Sequence, residues 1–296
     1  MAYNEDEARS LVIEAGHRLL ESGLIARTWG NISARISDTE FIITPSGRAY
    51  ESLRPEELVK CKIADCSYEG TIKPSSEKGI HADGYRLRPE CDFIIHTHQF
   101  YATVVGVLGA DIREPHIPCA GYGMPSTGRL RKAVAAAVEA NPDSKAILMT
   151  RHGAVCLGND FEDAFRIADE LETTCRSIYM ESCGDSAGHE LETISKGMKT
   201  LHPPIDDLAQ IAGATIRCIG PDASEADIKR ALKGRNAVLM AGREPICTGD
   251  DSEAVRMLLE KGCAAAVFAG TLKGLSYPDA LLQRVIYVRK YSKRKA

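Results

Sequence analysis

Cys91-Asp92-Phe93-Ile94-Ile95-His96-Thr97-His98 is the run from which the fold is read. Phe93, Ile94 and Ile95 form a short β-rich segment. On a strand, residues i and i+2 point to the same face, so His96 and His98 can converge on one point. Moving outward, residues 77–87 suit a helix ended near Pro89, and residues 127–140 suit an alanine-rich helix closed by Asn141-Pro142. Ala146 to Met149 reads as a buried strand, and residues 160–182 as a long helix. Further upstream, Ala8, Leu11, Val12, Ala15 and Leu19 mark an amphipathic helix over residues 5–22. Residues 31–37 and 40–44 read as a hairpin that turns at Ser37-Asp38. Strands and helices mix throughout, which places the chain in the α/β or α+β class.

The chain has 296 residues, 44% hydrophobic and 26% charged, a composition that excludes collagen, disorder and a disulfide miniprotein. With 37 basic and 41 acidic residues the net charge is −4, so neither nucleic acid nor a membrane is expected as a partner. The short basic C-terminus, Arg289 to Lys295, reads as a solvated tail. The ten cysteines include no CxxC pair and sit singly among apolar residues, as small buried hydrophobes in a reducing compartment do. No basic-then-apolar leader opens the sequence and no window reaches the roughly 18 apolar residues of a membrane span. A soluble, cytoplasmic protein is expected.

Residues 189–204 lack periodicity, end in Pro203-Pro204, and read as a linker. Beyond it, Asn236-Ala237-Val238-Leu239-Met240 can be set under Lys145-Ala146-Ile147-Leu148-Met149 and continued without a gap. Ala146/Ala237, Leu148/Leu239, Met149/Met240, Cys156/Cys247, Gly158/Gly249, Asp160/Asp251 and Glu162/Glu253 then coincide. Helices are expected before each strand, at 127–140 and 224–233, and after each, at 160–182 and 251–261. The pattern is that of a helix–strand–turn–strand–helix unit used twice.

The chemistry gathers at His96-Thr97-His98. By itself this is as readily a pair of exposed or core histidines as a pair of ligands. His152, after the strand 146–150 and before Gly153, is placed to be a third. Three imidazoles with an open position describe a catalytic, not a structural, zinc site. Pro74-Ser75-Ser76-Glu77 precedes a helix, where hydroxyls cap free N–H groups and an acidic residue suits the dipole. The same helix end can bind an anion. His81 lies one turn beyond Glu77 on the same face, where it is either a functional residue or a supporting or structural one. Gly30-Asn31-Ile32-Ser33 and Thr44-Pro45-Ser46-Gly47 are turn signals that also suit a phosphate cradle. There is no P-loop and no GxGxxG after a strand, so neither nucleotide phosphoryl transfer nor a dinucleotide is indicated.

These five motifs, with His152-Gly153 the last, occur in an order and spacing that resemble the class II aldolase/adducin family over roughly residues 5 to 182. The resemblance implies a three-layer αβα sandwich around a mainly antiparallel sheet, and a homotetramer with active sites between subunits. It implies that His96, His98 and His152 bind Zn2+ or another divalent transition metal, and that Glu77 moves protons. It implies phosphate binding by Asn31, Ser46, Gly47, Ser75 and Ser76, with Thr28 beside them. Tyr122, in Cys119-Ala120-Gly121-Tyr122-Gly123, matches a catalytic tyrosine donated by a neighbouring subunit, though its surroundings depart from the family pattern. The implied reaction is reversible cleavage of a short, fuculose-1-phosphate-like ketose 1-phosphate into dihydroxyacetone phosphate and a small aldehyde.

Epimerase, dehydratase or decarboxylase chemistry on the same metal site is the alternative. Epimerase relatives usually carry an aspartate where Glu77 stands, which favours the aldolase. A non-catalytic adducin-like interaction module would lack the metal ligands. The expected organisation is a catalytic domain over residues 1–188 and a smaller α/β lobe over 205–296, a partial repeat without ligands. Arg243 aligns there with His152, and no HxH occurs after residue 182.

Overall fold

The computed structural model describes residues 2–25, 29–184, 194, 199–270 and 274–290. Thr28, most of the expected linker and the last six residues lie outside the described residues. The chain divides into two compact units, Met1–Thr174 and Cys175–Ala296.

In chain order the first unit contains α1 (Glu5–Glu21), β1 (Asn31–Arg35), β2 (Glu40–Ile43), β3 (Val59–Lys62), α2 (Lys78–Leu87) and β4 (Phe93–Thr97). Then come α3 (Phe100–Gly106), β5 (Cys119–Ala120), α4 (Gly128–Ala140), β6 (Ala146–Met149), β7 (Gly153–Gly158) and α5 (Phe161–Cys183), which runs on past the unit boundary. The seven strands form one sheet in the order β3-β2-β1-β4-β7-β6-β5. Every neighbouring pair is antiparallel except β5 with β6.

Helices cover both faces. Ile94, Ile147, Met149, Val155 and Leu157 form a core with Ile80, Ala82 and Tyr85 of α2 and Leu130, Val134 and Val138 of α4. A side chain added at Gly84 would run into Ile94 and Leu157, so the glycine lets α2 lie close on the sheet. On the opposite face α1 packs on β1 and β2, α3 on β6 and β7, and Phe161 at the start of α5 meets Phe93 edge-on at 5.3 Å. The expected αβα sandwich around a mainly antiparallel sheet is what the chain forms. With helices on both faces of the sheet, β1, read as one arm of a hairpin, is buried at all five residues.

The second unit contains β8 (Thr200–Leu201), α6 (Asp206–Ala212), β9 (Ile216–Ile219), α7 (Glu225–Leu232), β10 (Ala237–Met240), β11 (Arg243–Cys247), α8 (Ser252–Phe268) and α9 (Tyr277–Lys290). Its sheet runs β11-β10-β9-β8, with β9 and β10 parallel. β8 thus falls in the stretch read as linker, and α8 outruns the expected 251–261.

Within each unit the aligned segments make the same connections. Ala146 pairs with Cys156, and Ala237 with Cys247. Leu157 N–H donates to Lys145 O at 2.8 Å, and Thr248 N–H to Asn236 O at 2.8 Å. Thr150 N–H donates to Ala120 O at 3.1 Å, and Ala241 N–H to Ile219 O at 3.0 Å. The turns differ by one residue: Met149 faces Gly153, whereas Met240 faces Arg243. All ten cysteines are free thiols. Among the described residues no helix is long and apolar enough to cross a membrane.

Candidate metal centre

His96 is the fourth residue of β4 and His98 follows its end. The two-residue period turns both to the face that carries α2. His152 closes the turn between β6 and β7, next to the strand that pairs with β4. The turn holds Arg151 at φ 65°. Three buried imidazoles therefore meet, with ligand nitrogens all within 4.8 Å of one another. Ring centroids are 4.7 Å apart for His96 and His98, 5.1 Å for His96 and His152, and 4.7 Å for His98 and His152. Trp29 stacks on the His98 ring at 6.3 Å.

His96 Nδ1 lies 2.8 Å from the carbonyl oxygen of Ala154. A carbonyl only accepts, so Nδ1 carries the proton and the Nε2 lone pair faces the centre. Burial pushes His96 down to about 3, against an opposing pull from Glu77, so this imidazole is neutral at neutral pH. Glu77 reaches the same point, its Oε2 3.3 Å from His96 Nε2 and its Oε1 3.4 Å from His152 Nε2. Burial alone would raise its pKa, but His152, then His96 and His98, hold it well below the usual carboxylate range.

This donor set fits a divalent transition metal. Tetrahedral coordination at the zinc–imidazole bond length of about 2.0–2.1 Å separates ligand nitrogens by roughly 3.4 Å. His98 Nε2 and His96 Nε2 are 3.0 Å apart. Three imidazoles and one carboxylate offer a cation what an aqueous ion would otherwise take from water.

Glu77 itself departs from the capping scheme read from Ser75-Ser76. The helix begins at Lys78, and Glu77 occupies the cap position without a side-chain capping bond. Its N–H donates to Ser75 Oγ at 3.2 Å. Its carboxylate is used instead by the Asn31 amide, 3.2 Å from Oε2, and by the Ser126 N–H, 3.2 Å from Oε1. Two competing donors outweigh the helix's own N–H groups.

The phosphate-binding candidates lie on two adjoining turns. Ser46 N–H donates to Lys73 O, and Ser75 N–H to Thr44 O, each at 2.9 Å. Ser46 and Gly47 are thereby set beside Pro74-Ser75-Ser76, and Gly47 takes φ 69°. Asn31 stands between this pair of turns and Glu77: Ile32 N–H donates to Thr44 Oγ1 at 3.2 Å while Asn31 reaches the carboxylate. Ser76 is exposed, with its hydroxyl 2.7 Å from that of Ser126. Tyr122 is half-buried in the loop between β5 and α4. The contact from that loop to Glu77 comes from Ser126, at φ 64°. Sequence reading missed Ser126 because it acts through its backbone N–H, which every residue but proline carries.

The sequence matches the family described as "Class II Aldolase and Adducin N-terminal domain" over residues 10–179. The chain belongs to this family. Its aldolases are metal-dependent, in keeping with the histidine cluster. A "5-deoxy-D-ribulose 1-phosphate aldolase" of Bacillus thuringiensis serovar kurstaki is 32% identical over 184 residues, 59% of this chain and 84% of the relative. An "L-fuculose phosphate aldolase" of Haemophilus influenzae is 29% identical over 203 residues, 65% of this chain and 90% of the relative. A solved "L-fuculose 1-phosphate aldolase" aligns with TM-score 0.53 at 29% identity, covering 59% of this chain and 85% of that one. A relative from Pectobacterium atrosepticum, 29% identical over 191 residues (60% of this chain, 86% of the relative), is named "3-oxo-tetronate 4-phosphate decarboxylase". This class II aldolase-family chain thus has relatives of more than one activity.

Proposed function

We propose that the protein is a zinc-dependent aldolase that reversibly cleaves a short ketose 1-phosphate into dihydroxyacetone phosphate and a small aldehyde. The observation that carries this reading is Glu77 set 3.3–3.4 Å from two of three converging histidines. His96, His98 and His152 would hold a divalent ion, which would supply Lewis-acid stabilisation of the charge left on the carbonyl side of the broken carbon–carbon bond. Glu77 moves the proton at the carbon next to the carbonyl. Its two N–H donors, from Asn31 and Ser126, fix its direction while leaving the face toward the histidines open. Asn31, Ser46, Gly47, Ser75 and Ser76 hold the phosphate with neutral donors, which do not compete with the cation for the rest of the substrate. Tyr122, reaching a neighbouring subunit's site in a homotetramer, protonates the aldehyde oxygen in the direction of bond formation. We assign this chemistry to residues 1–188 in the cytoplasm, and read residues 205–296 as a ligand-free partial repeat.

A second reading, decarboxylation of a phosphorylated keto acid at the same centre, is supported by the name of the Pectobacterium relative. The two separate in one assay. Zinc-loaded protein given a panel of ketose 1-phosphates and phosphorylated 3-keto acids is expected to release dihydroxyacetone phosphate from the former and no carbon dioxide from the latter. His96→Ala and His152→Ala should bind no metal, and Glu77→Gln should keep it while losing solvent proton exchange into dihydroxyacetone phosphate. Full metal occupancy in either histidine variant, or undiminished exchange in the glutamine variant, would overturn the assignment.

A further inference from the structure

A chain of hydrogen bonds runs from Glu77 into the layer between α2 and the sheet. Asn31 and Ser33 are alternate residues of β1, while Glu77, His81 and Tyr85 follow at helical spacing. Asn31 Nδ2 is 3.2 Å from Glu77 Oε2, and His81 Nε2 is 2.5 Å from Asn31 Oδ1. Ser33 Oγ is 2.6 Å from His81 Nδ1 and 2.7 Å from Tyr85 Oη. All five side chains are buried, His81 and Ser33 completely.

The Glu77 end dictates the direction of every bond. A carboxylate only accepts, so Asn31 turns its amide nitrogen to Glu77 and its oxygen to His81. That oxygen cannot donate, so His81 Nε2 carries the proton and Nδ1 is a lone pair. Ser33 then donates to Nδ1 and accepts from Tyr85. The groups at the other end agree. Burial raises the Tyr85 hydroxyl well above its usual range, which keeps it a donor. Burial lowers His81 to about 3, which keeps one N–H and one lone pair. With both ring nitrogens engaged, this fourth buried histidine is not available as a metal ligand. Reversing the chain would set an amide oxygen against a buried carboxylate.

We infer that His81 is a positioning residue for proton transfer: its Nε2–H holds the Asn31 amide, and Asn31 holds Glu77 toward the reacting carbon. The inference rests on Glu77 as the acid/base group of the proposed reaction. It differs from a space-filling role because it depends on a donor at one point of the ring, not on volume.

The test compares wild type, His81→Leu, His81→Gln and Ser33→Ala. Glutamine restores a donor near the position of Nε2; leucine fills space without one. Each protein is loaded with zinc, its metal content measured, and exchange of deuterium from solvent into saturating dihydroxyacetone phosphate followed by NMR. All variants should bind wild-type metal, because the two ring nitrogens of His81 are engaged by Asn31 and Ser33 and not by the three converging histidines. His81→Leu should slow exchange by about 10- to 100-fold, the usual cost of removing a group that orients a site residue. His81→Gln should recover most of that loss. Ser33→Ala, which frees the tautomer, should slow exchange less than leucine does, and it decides the matter if the leucine variant does not fold. Wild-type exchange in His81→Leu or Ser33→Ala overturns the inference, as does equal impairment of the leucine and glutamine variants or loss of metal from them. Absence of exchange in wild type overturns the reading of Glu77, and this inference with it; the other outcomes leave that reading standing.

Discussion

Gly153→Ala is the smallest change that should damage fold and metal centre together. Gly153 opens β7 immediately after His152. A methyl group there would lie 2.1 Å from the carbonyl oxygen of Thr97 and 3.4 Å from Cε1 of His96. Thr97 and His96 belong to β4, which pairs with β7 through Thr97/Ala154 and His96/Val155. The obstructing atom is backbone in the middle of a seven-stranded sheet, so no rotamer relieves it. The strands must separate by more than 1 Å at this point, given an ordinary carbon–oxygen contact of roughly 3.3 Å. Overpacking of a dense core costs about 1–3 kcal/mol. Weakening one or two ladder hydrogen bonds adds about 1 kcal/mol each. A total near 3 kcal/mol corresponds to a fall in Tm of about 6–12 °C for a unit of this size.

The same displacement moves His152, held beside β7, away from His96 on β4 and from His98 just beyond its end. The variant should therefore also bind zinc less tightly. Thermal unfolding with and without chelator, and a metal titration, measure both effects. Gly128→Ala is the control: an added methyl group meets nothing within 4 Å, and Gly128 opens α4. It should leave metal binding alone and shift stability by at most about 1 kcal/mol, toward greater stability. A Gly153→Ala protein with a Tm within about 2 °C of wild type and unchanged zinc affinity would refute the argument that close approach of β4 and β7 builds the site.

Two further changes probe the supports. Arg35 is buried, donating to Cys91 O at 2.8 Å and to Tyr85 O and Arg88 O at 2.7 and 2.9 Å, with Asp92 at 3.5 Å. Arg35→Met leaves three buried carbonyls without their guanidinium donor and should cost about 3–5 kcal/mol in denaturant unfolding; a loss below about 1 kcal/mol would contradict it. Arg151 holds φ 65° where the aligned turn of the second unit has Gly242 at φ 67°. Arg151→Gly removes a left-handed strain of about 1–2 kcal/mol and adds up to about 1 kcal/mol of chain entropy cost, so Tm should stay level or rise with metal content unchanged; a clear fall would show that the side chain's contacts dominate.

The three histidines were legible because each rests on a local rule. A period of two puts His96 and His98 on one face, and a strand end beside glycine places His152. The polar face of β1 was not legible. Asn31, Ser33 and Arg35 alternate with Ile32 and Ala34 as they would in a strand with one wet side. Only the covering of both faces of the sheet turns those three inward toward α2, and that covering is set by helices remote in sequence. The place of Glu77 beside the histidines was expected from position and family likeness, but its exclusion from helix capping depends on Asn31, 46 residues away, and on Ser126, 49 residues away. α3 and β5, at 7 and 2 residues, are too short to show a period.

The second unit shows what the histidine cluster requires beyond the motif that carries His152. Its strands β10 and β11 pair in the register of β6 and β7 over Ala237/Cys247, and a parallel strand precedes them in each case. Yet β7 lies between β6 and β4, whereas β11 ends its sheet. Among the described residues no strand stands where β4 would bring two histidines on one face. The turn is also one residue shorter and presents Arg243, 60% exposed, in place of His152. A histidine placed there would supply one imidazole of three, without the acid at the cap position of α2. The strand–turn–strand unit is therefore a folding module that is neutral as to chemistry. The three histidines converge where its turn meets β4 and the start of α2, elements that the aligned stretch of the second unit does not include.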